Sequence, residues 1–462
     1  MKKTLWNREM IGIILALAWP TMLEQLMQTA VQYIDTAMVG SLGTYATAAV
    51  GATATVNWMI GSTISALGVG FLSAVAKAHG AGDFTLARKV SAQSVLVTLI
   101  SGIVFTAVIV GLSPQVPVWM QVEPEIRELA ATYFMILYLP MLPKTATILF
   151  GTVLRAGGDT KTPMIIGVFM NLINVILNFL LIYPSRFLTL FGLTFYMPGA
   201  GMGVIGAAVA SAIAFTIGGV WITISLLHHK NLSPLGFSLM PDKTILIPCM
   251  KTALPNVLQR FTTTAGYVVF ASMINALGEV ATAAHTVANT VESAFYIPGY
   301  GMQTAAATLA GNAYGAGDRK RMEELVRMFL PIEVVLMAAS GAALFFSAPV
   351  LVGLFSDQEE VFTLGVTVLR MVAVSEPLFG VSIILEGMMY GVGNTKKPFI
   401  YNIGGMWGIR ILGTFLCTTI LNQGLIAAWG CMIAHNVLLF VMYLYSHFRR
   451  DWLPESMRHE SE

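Results

Sequence analysis

Stretches of about 20 or more mostly apolar residues recur along this chain, and each is long enough to cross a hydrocarbon layer as one helix. Twelve can be counted, with ends good to a few residues. They lie at roughly 10–38, 45–76, 86–112, 126–154, 162–183 and 203–228, then 245–275, 280–311, 323–352, 358–390, 398–420 and 424–447. Several exceed 25 residues, so tilt or extension beyond the bilayer is expected. Lipid offers no hydrogen bonds to a bare backbone, which leaves only helices and closed barrels as spanning structures. The segment lengths fit helices, and the expected fold is an all-α polytopic membrane protein.

Charge excludes the main competitor. Only 11% of the 462 residues are charged, against 56% hydrophobic. A soluble domain carries roughly 25% charged residues, and a chain of this length would have to clothe about three such surfaces. The net charge of +2 offers no clustered basic face, so no nucleic-acid partner is expected. Cys249, Cys417 and Cys431 are too few for a disulfide framework and read as small buried hydrophobes. The basic start MKKTLWNREM precedes an apolar run that continues past Pro20 to Val39, without a cleavage pattern. It therefore reads as a first span rather than a leader.

Basic residues set the expected orientation. With the amino terminus in the cytoplasm, twenty of the 26 Lys and Arg residues fall in cytoplasmic loops and tails, and only Arg127 and Arg186 fall outside. Both termini are then cytoplasmic, in a cell (inner) membrane. The longest polar break, His228 to Lys243, lies mid-chain. The expected division is an amino-terminal bundle over 1–228, a linker over 229–244, a carboxyl-terminal bundle over 245–450 and a tail over 451–462.

The two halves repeat. SLGTYATAAVG at 41–51 matches ALGEVATAAHT at 276–286, an offset of 235. The same offset carries Gly80-Ala81-Gly82-Asp83 onto Gly315-Ala316-Gly317-Asp318, and Gly158-Asp159-Thr160-Lys161 onto Gly393-Asn394-Thr395-Lys396. Pro20 lands on Pro255. The segment 184–202 has no full counterpart. Six spans per half is an even number, so the repeat is parallel. Two such bundles facing one another enclose a cavity and can rock, which points to a transporter working by alternating access.

Motifs narrow the chemistry further. Gly201-x-Gly203-x-x-Gly206 matches a dinucleotide fingerprint in form but opens an apolar helix, so close packing by small residues explains it better. No metal spacing, nucleophile elbow or phosphate loop is present in the sequence, and neither enzymatic activity nor a cofactor is expected. His285 and His435 are isolated and read as core or interface histidines. The GAGD turns and the GGDTKTP and GNTKKP segments read as glycine stops followed by helix caps.

Carboxylates within spans carry the most information, because a charge at the bilayer centre costs about 2.5–3.5 kcal/mol and persists only beside a partner, water or an ion. Glu24, Asp35, Glu292, Glu333, Glu376 and Glu386 qualify, with Glu333 and Glu386 set nearer the ends of their spans. Glu24, Gln25, Gln28, Gln32 and Asp35 make one polar stripe that must avoid lipid. Asn171, Asn174 and Asn178 share a face of the fifth span. Two readings stand for those amides: hydrogen bonding between helices, or a hard-cation or proton site of one carboxylate with neutral oxygens. The repeat places Phe270 and Ile409 opposite Asp35 and Asn174, so the cluster belongs to one half only. In the other half Gln259, Arg260, Glu292 and Glu376 intrude, and Arg260 is expected to pair with Glu292 or Glu376, or else to serve a substrate or coupling site.

These residues resemble the multidrug and toxin extrusion (MATE) transporters over nearly the whole length. The shared features are P-x-x-x-E-Q from Pro20 to Gln25, D-T-A-M-V-G from Asp35 to Gly40, the L-G-x-x-A-x-A-A turn, R-A-G-G-D-T-K-T-P, and G-x-x-G-A-A-x-A-S from Gly203 to Ser211. The resemblance implies a sodium- or proton-coupled antiporter that expels organic, cationic amphiphilic compounds. It implies a cation site at Asp35, Asn174, Asn178 and Ser211, with sodium ligated by the first three. It implies a substrate cavity touching Glu24, Gln25, Gln28, Gln32, Gln259, Arg260, Glu292 and Glu376. Partners would be small organic substrates and lipid, the protein working as a monomer without a cofactor. Many relatives carry aspartate where this chain has Asn178, and some carry a glutamate early in span 7 where this chain has none. The rival reading is a lipid-linked oligosaccharide flippase of related architecture, which should line its cavity with several basic residues.

Overall fold

The computed structural model describes residues 8–120, 122–190 and 193–458. Lys2 and Lys3 of the basic amino terminus, and residues 459–462 of the tail, lie outside the described residues. The chain opens with three long helices, α1 (Arg8–Gly40), α2 (Thr44–Gly80) and α3 (Phe84–Leu112). A short turn α4 (Val116–Trp119) leads to α5 (Pro124–Tyr138) and α6 (Met141–Ala156), bent by 49° at Leu139–Pro140. Proline lacks the N–H that would continue the ladder, so one expected span becomes two segments. Then come α7 (Lys161–Leu181), a hairpin of β1 (Pro184–Leu190) and β2 (Leu193–Ala200), and α8 (Gly203–His228).

The second half follows with α9 (Lys243–Asn275), α10 (Glu279–Phe295) and α11 (Ile297–Gly315), the last two split at Tyr296 before Pro298. It continues through α12 (Arg319–Gly353), α13 (Glu359–Gly391) and α14 (Lys396–Ile403). The next span is irregular: a π-helical stretch Gly404–Ile411, one α-turn α15 (Leu412–Phe415) and a second π stretch Leu416–Ile420. The buried His435 ring presses on Gly405, where a Cβ would stand 2.3 Å from its Cδ2. A π-bulge beside such an insertion is an ordinary response of the helical ladder. Helices α16 (Leu425–Arg449) and α17 (Glu455–Arg458) close the chain.

Among the described residues nine helices are long and apolar enough to cross a membrane, and the bent α5–α6 pair makes ten. The remaining two passes are α9, which carries Lys251, Gln259 and Arg260, and α10 (17 residues) followed by α11 (19 residues). Large apolar side chains are widely exposed, Phe346 to 77% and Val374 to 72%. Lipid is the solvent such a surface requires. The hairpin, like the short α4 and α17 and the π-helical stretches, is absent from the sequence-based expectation; it occupies the segment that the repeat leaves unmatched.

The repeat is visible in the backbone. Gly43 and Gly278, 235 residues apart, turn at φ +108° and +105°, and Gly82 and Gly317 at +72° and +65°. An L side chain rarely adopts these angles, so glycine is required in both copies of each turn. Two of the expected caps form: Asp318 accepts from Arg321 N at 2.9 Å and Asp159 from Thr162 N at 3.0 Å. In the GNTKKP segment Asn394 and Thr395 instead donate to Trp452 O and Thr252 O, and α14 has no side-chain cap. Gly206 packs on the end of α7, where a Cβ would meet Leu181 O at 2.5 Å, which accounts for the glycine-rich start of α8 by packing.

By packing, the chain forms two compact units whose limits differ from the expected 1–228 and 245–450. Unit 1 holds residues up to Met22, Leu72–Phe84 and everything from Ile247. Unit 2 holds Leu23–Phe71 and Thr85–Leu246. The reason is apolar contact: Met10, Ile14 and Ala18 of α1 join Met302, Leu309, Leu325, Phe329, Met388 and Tyr443 in one core of unit 1. A second core of unit 1 gathers Phe270, Leu344, Val372, Met406 and Trp429. In unit 2, α8 packs on α5, α6 and α7.

Candidate functional site

Unit 2 brings the predicted amino-half cluster together. Three turns of α1 separate Glu24 from Asp35, and the i, i+4 step on α7 stacks Asn174 under Asn178. Both amides are buried, Asn178 to 1% exposure. The Asn178 Nδ2 donates to Asp35 Oδ1, and to Asn174 Oδ1 at 3.3 Å. Asn174 also lies 3.0 Å from the Ser211 Oγ of α8. Turning the Asn174 amide satisfies it better: its nitrogen then donates to Asp35 Oδ1 and Oδ2 at 3.1 and 3.2 Å, and its oxygen accepts from Ser211 Oγ at 3.0 Å. One carboxylate, two amides and a hydroxyl thus meet at the junction of three helices. The Asn178 Oδ1 is buried with no partner. An orphaned buried carbonyl oxygen carries a desolvation cost, and beside a carboxylate it is a ready ligand for a hard cation.

Glu24 takes a different place. It forms an ion pair with Arg155 of α6 at 2.8 Å, and Gly167 of α7 gives it room, a Cβ there lying 3.2 Å from Glu24 Cγ. Gln25 is half-buried, while Gln28 and Gln32 are exposed. The buried Tyr133 of α5 faces Asp35 closely enough to feel its charge. The sequence alone does not single it out, since an aromatic at span depth looks like core.

Unit 1 gathers its polar residues otherwise than expected. Gln259 is buried, but its Nε2 donates to Glu386 Oε1 at 2.9 Å. Four further donors converge on the same carboxylate: Gln303 Nε2, Tyr390 OH and Asn402 Nδ2 at 2.9 Å each, and Tyr443 OH at 3.2 Å. The expected pairing of Arg260 with Glu292 or Glu376 does not form among the described residues. Glu292 of α10 and Glu376 of α13 are both buried without an ion pair among the described residues, and Arg410 on the π-helical stretch lies over the rings of Tyr267 and Phe270 at 5.2 and 5.5 Å. Glu386, set aside in the sequence for its position near a span end, is the most heavily hydrogen-bonded acid in the unit. Its i, i+4 spacing to Tyr390 was the available signal.

A MatE family model matches residues 20–180 and 255–416, two segments that begin 235 residues apart. The chain belongs to the MATE transporter family. The curated relatives match it over most of its length. One is a probable multidrug resistance protein NorM of Thermotoga maritima, 24% identical over 95% of this chain and 92% of its own. Another is the human multidrug and toxin extrusion protein 1, 24% identical over 96% of this chain and 76% of its own. A crystal structure of a MATE in complex with MaD3S superposes with a TM-score of 0.85 at 24% identity, covering 95% of this chain and 96% of that one. An outward-facing MATE of the MOP superfamily reaches 0.86 at 24% identity, with 95% of each covered. The fold is the twelve-helix, two-bundle MATE architecture of a multi-pass membrane protein, and both sequence-based expectations, family and fold class, hold.

Proposed function

We propose that this MATE protein is a cation-coupled antiporter that exports organic, cationic amphiphilic drugs by alternating access across the cell (inner) membrane. Both termini would be cytoplasmic, and the protein would act as a monomer without a cofactor. The observation that carries this reading is the convergence of Asp35, Asn174, Asn178 and Ser211 around an unpartnered carbonyl oxygen. Empty, the carboxylate is held by the two amide nitrogens. With a sodium ion, both amides can turn their oxygens inward. With a proton, Asp35 becomes a donor and Asn178 Oδ1 can accept from it. Either event rearranges the hydrogen bonds joining α1, α7 and α8. An ion drives transport only if it binds one conformation better than the other, and this rearrangement supplies such a difference.

The names of the relatives support drug resistance as the role. The flippase reading is not favoured: the buried charged residues are Glu292, Glu333, Glu376 and Glu386 against Arg410 alone among the described residues. Such a set does not suit pyrophosphate. We propose Gln25, Gln28 and Gln32 as substrate contacts in unit 2, and Glu292 and Glu376 in unit 1. The paired Glu24 and the Glu386-bound Gln259, with Arg260 beside it, would shape these surfaces rather than meet the drug. Efflux from proteoliposomes, driven in turn by a sodium gradient and by a pH gradient, tests the reading. One gradient should drive dye export, and Asp35→Asn should abolish it while the protein still folds. Driven export retained in that variant would overturn the assignment.

A further inference from the structure

The GAGD turns of the repeat do more than end helices. Within unit 1 the last turns of α2 and α11 cross with no side chain between them. A Cβ on Gly80 would stand 2.0 Å from Asn312 O, and a Cβ on Gly315 1.9 Å from Lys77 O. A Cβ on Gly311 would stand 2.6 Å from the Cβ of Ala76. The offset of 235 carries Ala76 to Gly311, Lys77 to Asn312 and Gly80 to Gly315. The first contact is therefore the pseudo-symmetric copy of the second, and the third lies on the pseudo-two-fold itself. Helices ordinarily pack with axes 8–10 Å apart, held off by side chains. Here the repeat has placed glycine at both copies of the position where backbones meet.

The surroundings reinforce the crossing without filling it. Ser73 Oγ donates to Gly391 O at 2.9 Å, and Lys77 Nζ lies 4.5 Å over the Tyr314 ring. Thr395 Oγ1 donates to Thr252 O at 2.7 Å, fixing the end of α13's following turn. No ion pair among the described residues ties α2 to α11. A contact of backbone and small groups gains dispersion energy when shut, and freezes few rotamers. It can therefore open and close at little cost beyond the contact itself.

We propose that this crossing is a latch, built once by each half, that holds the basic end of unit 1 shut and must part for drug to load from that side. The inference rests on the alternating-access reading, but its test does not need transport. Spin labels are placed at the exposed Phe84 and Lys320, in a background with Cys249, Cys417 and Cys431 replaced by serine, and their separation is measured by pulsed electron resonance in lipid nanodiscs. The starting protein should show a short, narrow population. Gly80→Leu and Gly315→Leu should each lower the closed-to-open ratio roughly tenfold or more, as overpacking a filled contact does. Gly61→Leu, on α2 with nothing within 4 Å, should leave the distribution unchanged. If leucine prevents folding, Gly315→Ala serves, since even its Cβ meets backbone. Folded Gly80 or Gly315 variants with an unchanged distribution would overturn the latch, as would an equal shift from Gly61→Leu. A shift in the glycine variants of a protein that exports nothing would keep the latch and sink the antiporter.

Discussion

The two units each set a carboxylate among amides, yet they finish the arrangement differently. Asp35 meets Asn174 and Asn178, is half-buried, and leaves Asn178 Oδ1 without a partner. Glu386 receives five donors from α9, α11, α13, α14 and α16, with both of its oxygens engaged. Four N–H and O–H donors crowd the Oε1 of Glu386 and a fifth holds its Oε2, so a cation approaching it meets protons first. Asp35 instead has an orphaned oxygen beside it that a cation could use. Similar residue types thus make an open ligand set in one unit and a closed structural knot in the other. The difference lies in whether the neighbours present oxygens or protons.

The largest expected effect breaks the comparison at its functional side. Asp35→Asn removes the only charge of the open cluster, and ion-driven efflux should fall roughly 100-fold, the upper range of an ordinary coupling free energy. Thermal stability should stay near that of the starting protein, because an amide can still bond to Asn178. Glu386→Ala should do the reverse. It removes the shared acceptor of five donors, and the buried Gln259 Nε2 and Tyr443 OH have no other. At about 1–3 kcal/mol for each group that finds no water, the unfolding temperature in detergent should drop by several degrees. In Glu386→Gln, the ion concentration giving half-maximal efflux should be unchanged. A shift in that value would make Glu386 a coupling residue and erase the distinction.

A smaller effect sharpens the open site. Asn178→Ala deletes one bond to Asp35 together with the orphaned oxygen. The lost bond steadies the empty site, whereas the lost oxygen would ligate a bound sodium ion. A ligand contact to a charge is worth about 1.5–3 kcal/mol, so the half-maximal sodium concentration should rise, by less than the roughly tenfold or more that the oxygen alone would give, with stability little changed. The measurement is the ion dependence of efflux from proteoliposomes. An unchanged ion dependence would leave the coupling to Asp35 without its amide.

Much of this was legible in the sequence, and the exceptions have physical causes. Span count, repeat and family followed from apolar length and from an ungapped offset, both of which act locally. The Asp35 cluster was legible because polar residues at helical spacing in lipid must face a partner. Glu386 was not, because depth along a span says nothing about which neighbours converge on it; Gln303, Asn402 and Tyr443 come from three other helices. The expected ion pair of Arg260 with Glu292 or Glu376 is absent among the described residues for the same reason. The unit limits were hidden too, since the apolar start of α1 gives no sign of which core it will enter.

The smallest expected effect separates two origins of pH dependence. His229 follows α8, outside the spans, with its Nε2 4.0 Å from Asp159 Oδ2 and its Nδ1 accepting from Asn231 N at 3.3 Å. Burial pushes its imidazole below the usual value, and the Asp159 charge opposes this only in part. The folded protein therefore declines a proton that the unfolded chain accepts near pH 6.5. Stability from this group is complete above that value and is lost as pH falls through it toward the lower folded value. The unfolding temperature should decline slightly between about pH 7 and pH 5.5, and His229→Gln should flatten that part of the decline. If transport responds to pH through Asp35, His229→Gln should leave the pH profile of efflux intact while changing that of unfolding. A parallel change in both would tie the loop to the ion site and remove the independence of the two.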